Sequence, residues 1–179
     1  MSCITTHSKI EEILYCHREE LGKDFEMYRN HVYRVFNFAH LFPRKQTILS
    51  TEILAIAAAF HDIGIWTHRT FDYLEPSVEL AKTYCITEGF GSEIADIVAT
   101  IIEQHHTIVS VPDTVLALIF RQADLCDLMM GLIHEPINIK SIKELWACFP
   151  NRGFHWKLVK LFFKNLLICP WRPLPMFKL

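Results

Sequence analysis

The stretch Ala57-Ala58-Ala59-Phe60-His61-Asp62-Ile63-Gly64-Ile65-Trp66 constrains this chain more than any other. Small and apolar residues run without a break into an imidazole and a carboxylate, and a glycine follows. An apolar segment of this kind belongs in a core, where an unpaired carboxylate is expensive to bury. A bound cation offsets that cost. Imidazole and carboxylate suit several divalent ions, so the pair alone leaves the metal open. A lone His-Asp dipeptide usually sits on a surface. This one gains weight from His31 on an earlier apolar segment, His105-His106 ending a later one, and Asp124 on a third.

The dominant period is helical. Ser8-Lys9-Ile10-Glu11 reads as a capping box opening a helix toward Leu21, with Gly22 as its stop. A second helix is expected from Phe25 to Phe42, ending before Pro43, and a third from Ser50–Thr51 to His61–Gly64. Glu75-Pro76-Ser77 opens a fourth, because proline is favoured in a first turn, and Gly89 closes it. The fifth spans about Ser92 to His106, and the sixth runs from Pro112-Asp113 to Gly131. Ser141-Ile142-Lys143-Glu144 is a second capping box, opening a short helix closed by Pro150. Gly153 to Ile168 forms the last, before the Pro-rich tail from Cys169 to Pro175. No segment alternates with period two, so the expected fold is all-α, one domain over residues 1–179.

Composition narrows the function. With 51% hydrophobic and 21% charged residues the chain is globular, and its formal net charge of -2 with no basic run argues against nucleic acid as a partner. Charges or prolines break the apolar stretches, and the start Met-Ser-Cys-Ile-Thr-Thr-His lacks the shape of a leader. Cytoplasmic residence with no membrane contact is expected. The six cysteines are scattered without C-x-x-C spacing, so neither a disulfide framework nor a Cys-ligated zinc is expected.

The candidate ligands fall on inward faces. On the second helix Tyr28, His31/Val32, Val35, Phe38/Ala39 and Phe42 form one stripe. On the fifth, Ile94, Ile97/Val98 and Ile101/Ile102 lead to His105, with His106 at the edge. On the sixth, Ala117, Phe120 and Asp124 share a face with Leu128. Each polar group alone reads as an ordinary satisfied core residue, Asp124 paired with Arg121 or capped by a backbone amide. Together they are hard to satisfy in pairs, whereas one cation satisfies them all.

The segments Asn30-His31-Val32-Tyr33-Arg34-Val35, Phe60-His61-Asp62-Ile63-Gly64-Ile65, Ile101-Ile102-Glu103-Gln104-His105-His106 and Gln122-Ala123-Asp124-Leu125 carry a further signal. Their order, His…His-Asp…Asp on helices, resembles the HD-domain superfamily of metal-dependent phosphohydrolases. The resemblance covers about Phe25 to Gly131 and implies a compact HD helical bundle, with an N-terminal helix and a C-terminal helical extension around that core. The segments Phe71 to Ser77, Phe149 to His155 and Pro173 to Met176 are similar to one subgroup of it. Carried over by position, the metal ligands are His31, His61, Asp62 and Asp124. The cofactor implied is a divalent transition metal (Zn, Mn, Fe, Co or Ni, with Mg less suited). Dinuclear members carry an extra histidine where this chain has Ser77, between Glu75 and Glu79, so one ion per chain is expected. The Tyr and Glu that di-iron oxygenases of the superfamily place before their first histidine fall here on Leu21 and Asp24.

The chemistry implied is hydrolysis of a small phosphorylated metabolite or nucleotide by metal-activated water. His105 and His106 are candidates for a proton shuttle or for orienting the water, although His106 also reads as a helix C-terminal cation. Arg34, one turn after His31, can clamp a phosphate or form a surface salt bridge. Glu75, with Asp72 beside it on a loop, can activate water or favour a helix N-terminus. His68 and Tyr73 are expected to line the substrate pocket, with Trp66 in the core. His7, His17, His40 and His134 read as surface residues and His155 as structural. Met129-Met130 and Leu161-Phe162-Phe163 read as core or interface, which leaves room for a homodimer. The alternatives are a hydratase or lyase acting on a small nitrogen compound, a di-iron oxygenase recruiting His68 and His105, and a non-catalytic module stabilised by metal.

Overall fold

The helix from Phe25 to Leu41 has no solvent face over most of its length: Tyr28, Val32, Tyr33, Val35, Phe36 and Phe38 are fully buried, and so is Arg34. A helix buried all round sits at the centre of a bundle, and the others pack about it. The computed structural model describes residues 3–42, 47–107 and 113–177. In chain order these hold α1 (Ser8–Cys16), α2 (Arg18–Leu21), a 3-10 turn (Gly22–Asp24), α3 (Phe25–Leu41), α4 (Ile48–Phe60), α5 (Gly64–Thr67), α6 (Leu74–Thr87), α7 (Gly91–Gln104), α8 (Val115–Leu128), α9 (Ile139–Cys148) and α10 (Phe154–Ile168). No strand occurs among the described residues, so the all-α expectation holds. The central α3 packs against α8 and α4, while α6 and α7 form a helical hairpin that lies against α4.

Three local readings need correction. Ser8 is the first helical residue rather than a cap, and Glu11 turns instead to Arg29 and to the Tyr33 hydroxyl, which donates to it at 2.6 Å. The helix expected to reach Leu21 breaks at His17. The second capping box is also absent, because α9 starts earlier: Asn138 caps it by accepting from the Lys140 amide. The capping box that does form joins Thr47 and Ser50 at the head of α4. Thr114 caps α8 through the Ala117 amide. The expected boundaries at Pro43 and Pro112 lie outside the described residues.

The segment Ile48–Thr67 has a mean hydropathy of 1.6 and is long and apolar enough, by length and composition alone, to cross a membrane. That corrects the expectation that every apolar stretch is interrupted early. Its apolar window is 72% buried inside the protein, so packing against α1, α3 and α7 accounts for its composition. His40, expected at the surface, is buried and bonded through Nδ1 to the Phe36 carbonyl.

Gly64 fixes how the His61-Asp62 turn meets α6. A Cβ there would lie 2.5 Å from the Tyr73 carbonyl oxygen and 3.0 Å from Ser77 Oγ, so no larger residue fits. The Gly64 amide donates to Ser77 Oγ at 3.0 Å. Ser77, at the place where dinuclear relatives are expected to carry a histidine, is fully buried in this contact.

Candidate metal centre

The ligand-type side chains reach one point from different elements. His31 comes from the middle of α3, His61 and Asp62 from the turn that ends α4, Asp124 from α8 and His105 from the end of α7. All five are buried. Tyr28, one turn before His31 on α3, holds the His61-Asp62 turn in place: its hydroxyl donates to the Ala59 carbonyl at 3.0 Å and accepts from the Asp62 amide at 3.3 Å.

The tautomers follow from the partners. His61 Nδ1 donates to the Ala58 carbonyl at 2.8 Å, and His105 Nδ1 donates to the Ile102 carbonyl at 2.6 Å. His31 Nδ1 lies 2.7 Å from Asp127 Oδ2. With each Nδ1 proton committed, every Nε2 turns a lone pair inward, the arrangement that prepares histidines for a metal. His31 Nε2 and His61 Nε2 are 2.9 Å apart. Two lone pairs at that separation repel unless a proton or cation lies between them. Asp62 Oδ2 is 3.6 Å from both of these nitrogens, and Asp124 Oδ1 is 3.6 Å from His31 Nε2 and 3.7 Å from His61 Nε2. Asp62 Oδ1 and His105 Nε2 are buried without a hydrogen-bond partner among the described residues, 3.6 Å apart. Orphaned donor-ready atoms of this kind fit a divalent ion. Ligand atoms of His31, His61 and Asp62 lie within 4.8 Å of one another, and so do those of Asp62, His105 and His106.

The electrostatics match. Burial raises the Asp62 pKa, yet His61, His105 and His31 outweigh it and hold the carboxyl well below its usual range. Asp124 is likewise driven down to about 2 by the surrounding imidazoles against the effect of burial. Burial lowers the His31 pKa, but Asp127 and Asp62 more than reverse this and raise it to about 9. His105 is raised in the same way by Asp62 and Asp124. The centre thus carries anionic charge that binds a cation, whether protons on imidazoles or a metal. His106 differs: burial and the adjacent His105 bring it down to about 3, so it stays neutral.

Of the residues singled out in the sequence, His31, His61, Asp62, Asp124, His105, His106 and Tyr73 meet here. The Tyr73 hydroxyl is 2.8 Å from His106 Nε2. His106 packs against Tyr73 and Phe177, so its reading as a solvent-facing helix-end cation gives way to a place beside the site. Arg121 is not the partner of Asp124; it donates to the Thr107 carbonyl at 3.0 Å.

Arg34, Glu75 and His68 do not meet here. Arg34 is fully buried and turned to α8, where Nε and Nη2 bond the two Asp127 oxygens at 2.5 and 2.9 Å, while Nη1 donates to the Phe149 carbonyl. A guanidinium so engaged cannot clamp a substrate. Glu75 is exposed and lines a separate cleft with Asp72, Glu79 and Arg172. His68 is exposed and, among the described residues, bonds its neighbour, Nδ1 to Thr67 Oγ1 at 3.0 Å. Trp66 is buried, its Nε1 donating to Asp24 Oδ2.

Sequence reasoning missed Asp127 and Phe154. Asp127 holds His31 and Arg34 together, and its own carbonyl accepts from His155 Nε2 at 2.9 Å. The available signal was spacing: His31 and Arg34 on α3 face Asp124 and Asp127 on α8, both pairs at i, i+3. Phe154, at the start of α10, stacks on the His31 ring with centroids 3.8 Å apart.

A family model described as HD domain matches residues 28–129, a span that begins at Tyr28 and includes His31, His61, Asp62, His105, His106, Asp124 and Asp127. No curated protein and no solved structure matches the chain.

Proposed function

The chain belongs to the HD-domain family, whose members are in general metal-dependent hydrolases, and on that premise we propose that it is a phosphohydrolase acting on a small phosphorylated molecule. The observation that carries this reading is the convergence of His31 Nε2, His61 Nε2 and the Asp62 and Asp124 carboxylates in a buried space. When bound there, a divalent ion supplies a Lewis acid that draws charge from a phosphoryl oxygen and acidifies water near neutral pH.

The chain's own residues do the rest. Asp127 and the Ala58 carbonyl fix the orientation of His31 and His61. His105, with Nδ1 held by the Ile102 carbonyl, presents Nε2 to take a proton from the attacking water or return one to the leaving oxygen. His106, neutral and bonded to Tyr73, stands next to it as a second orienting group. Phe154 and Tyr73 line the approach to the site.

A second reading uses the same centre to hydrate a neutral nitrogen compound. One observation favours it: the cavity above the ligands has no Lys or Arg among its described lining residues. A screen of metal-loaded protein against phosphomonoesters, with and without Mn, Co, Ni, Zn or Fe, separates the two. Metal-dependent release of inorganic phosphate, lost in Asp62→Ala, is expected. No release from any phosphoester by protein that retains its metal overturns the phosphohydrolase reading.

A further inference from the structure

The cavity over the metal ligands is apolar in a way that a nucleotide or sugar site is not. It holds about 280 Å³, with His31, Asp62 and Asp124 at its floor. Leu158, Val159, Phe162 and Phe163 of α10 line it together with Phe71 and Met176. Polar groups among the described lining residues are confined to the floor, His106 and the Tyr73 hydroxyl. A ribose or sugar ring seated against these walls would strand its hydroxyls, each at a loss of roughly fivefold to a hundredfold in affinity. An alkyl or aryl group gains instead, by roughly fourfold per methylene buried.

A second, more polar cleft borders Asp124 and His105. It shares His106, Asp124, Leu128 and Phe177 with the apolar cavity and adds Arg121, Gln122 and Glu135, so its charges are mixed. The apolar cavity and this cleft thus have Asp124 as a common wall. A molecule filling the apolar cavity places its uncharged body against α10 and its phosphoryl head beside His31, Asp62 and Asp124, where a bound cation would meet it.

Resting on the hydrolase reading above, we infer that the substrate is an amphiphile, an alkyl or aryl phosphomonoester whose apolar body fills the cavity between α10 and Met176. The volume accommodates on the order of ten water-sized groups, the scale of a short chain or a single ring. Hydrolysis breaks the bond between phosphorus and the ester oxygen. Water supplies the new oxygen on phosphorus, and the alcohol leaves with a proton returned to its oxygen. Half-exposed Val159 and Phe163 sit where the apolar body enters.

The test compares metal-loaded protein on n-alkyl phosphates from ethyl to octyl with glycerol phosphate and adenosine monophosphate. In parallel, melting temperature is followed with 1-butanol, 1-hexanol and 1-octanol. We expect kcat/KM to rise roughly three- to fourfold per methylene until the cavity is full, and the longer alcohols to stabilise the protein more. Phe163→Asp, at an exposed position, should flatten both trends while the ligand-free melting temperature holds. Equal or better turnover of adenosine monophosphate, without chain-length dependence, overturns the inference and leaves the phosphohydrolase reading in place. Length-dependent stabilisation by alcohols that Phe163→Asp removes, with no phosphate released, supports the apolar ligand class and overturns the phosphohydrolase reading. Neither turnover nor stabilisation overturns both.

Discussion

Arg34 and Asp127 form a two-pronged pair wholly out of solvent, and the same carboxylate holds His31 Nδ1 at 2.7 Å. The guanidinium lies under Trp146, 4.4 Å from its ring. This pair makes α3 and α8 present His31 and Asp124 to the same point, because each partner sits three residues beyond a ligand on its own helix.

Removing one member should therefore be costly in two ways. Asp127→Ala leaves a buried, uncompensated guanidinium, a loss of about 3–5 kcal/mol. It also frees the His31 tautomer, so metal affinity should fall roughly 10- to 100-fold. Denaturant unfolding and metal titration read the two effects separately. Arg34→Ala should destabilise in the same range; a variant that stays as stable as the wild type and shows only a raised KM would return Arg34 to the substrate.

His105 lies outside the set His31, His61, Asp62 and Asp124, with Nε2 unpartnered among the described residues and Asp62 Oδ1 at 3.6 Å. His105→Gln should keep the metal and slow turnover roughly 10²–10⁴-fold, the range for one acid-base group. Complete loss of metal in this variant would make His105 a ligand, and wild-type turnover would make it an ordinary core histidine.

Tyr28→Phe removes both bonds to the His61-Asp62 turn. Each stranded backbone group costs about 1–3 kcal/mol, so a lower melting temperature should accompany weaker metal retention. Unchanged metal affinity in a destabilised variant would confine Tyr28 to the core.

Asp24 ties α10 to the body of the protein, accepting from Lys157 Nζ at 2.6 Å and from Trp66 Nε1 at 3.0 Å. Burial raises its pKa, but Lys157 and Trp66 outweigh that and leave it below the ordinary 3.8. A folded pKa below the unfolded one stabilises above pH 3.8 and loses that contribution as pH falls through the lower value. The pair is partly exposed, so the effect is about 1 kcal/mol or less. Asp24→Asn should lower stability near neutral pH and shrink the wild type's acid-induced loss. Identical pH profiles for the two proteins would contradict this.

Much of the fold was legible because the helical period is strong and the punctuation clear: Gly22, Gly89 and Gly153 all flank helix ends as expected. What failed was local chemistry with a tertiary competitor. Ser8 and Glu11 spell a capping box, but Glu11 finds Arg29 and Tyr33 instead. At the site, inward faces located His31, Asp124 and His105 because their neighbours are apolar. Arg34 misled because spacing gives its face but not its partner, and only the facing helix reveals Asp127. Glu75 and His68 misled because a loop following a motif does not have to fold back over it. The apolar wall from α10 was invisible for a different reason: Leu161-Phe162-Phe163 reads as core or interface, and only the folded chain brings Phe162 and Phe163 to one cavity with Met176 and Phe71.

The most direct test of the central claim is the metal content of purified wild-type protein beside Asp62→Ala and Asp124→Ala. About one equivalent of a divalent transition metal is expected in the wild type and its loss in both variants, since Ser77 is committed to the Gly64 amide and offers no imidazole for a second ion. Wild-type protein that holds no such ion after growth and dialysis with Mn, Fe, Co, Ni and Zn, or variants that keep theirs undiminished, would contradict it.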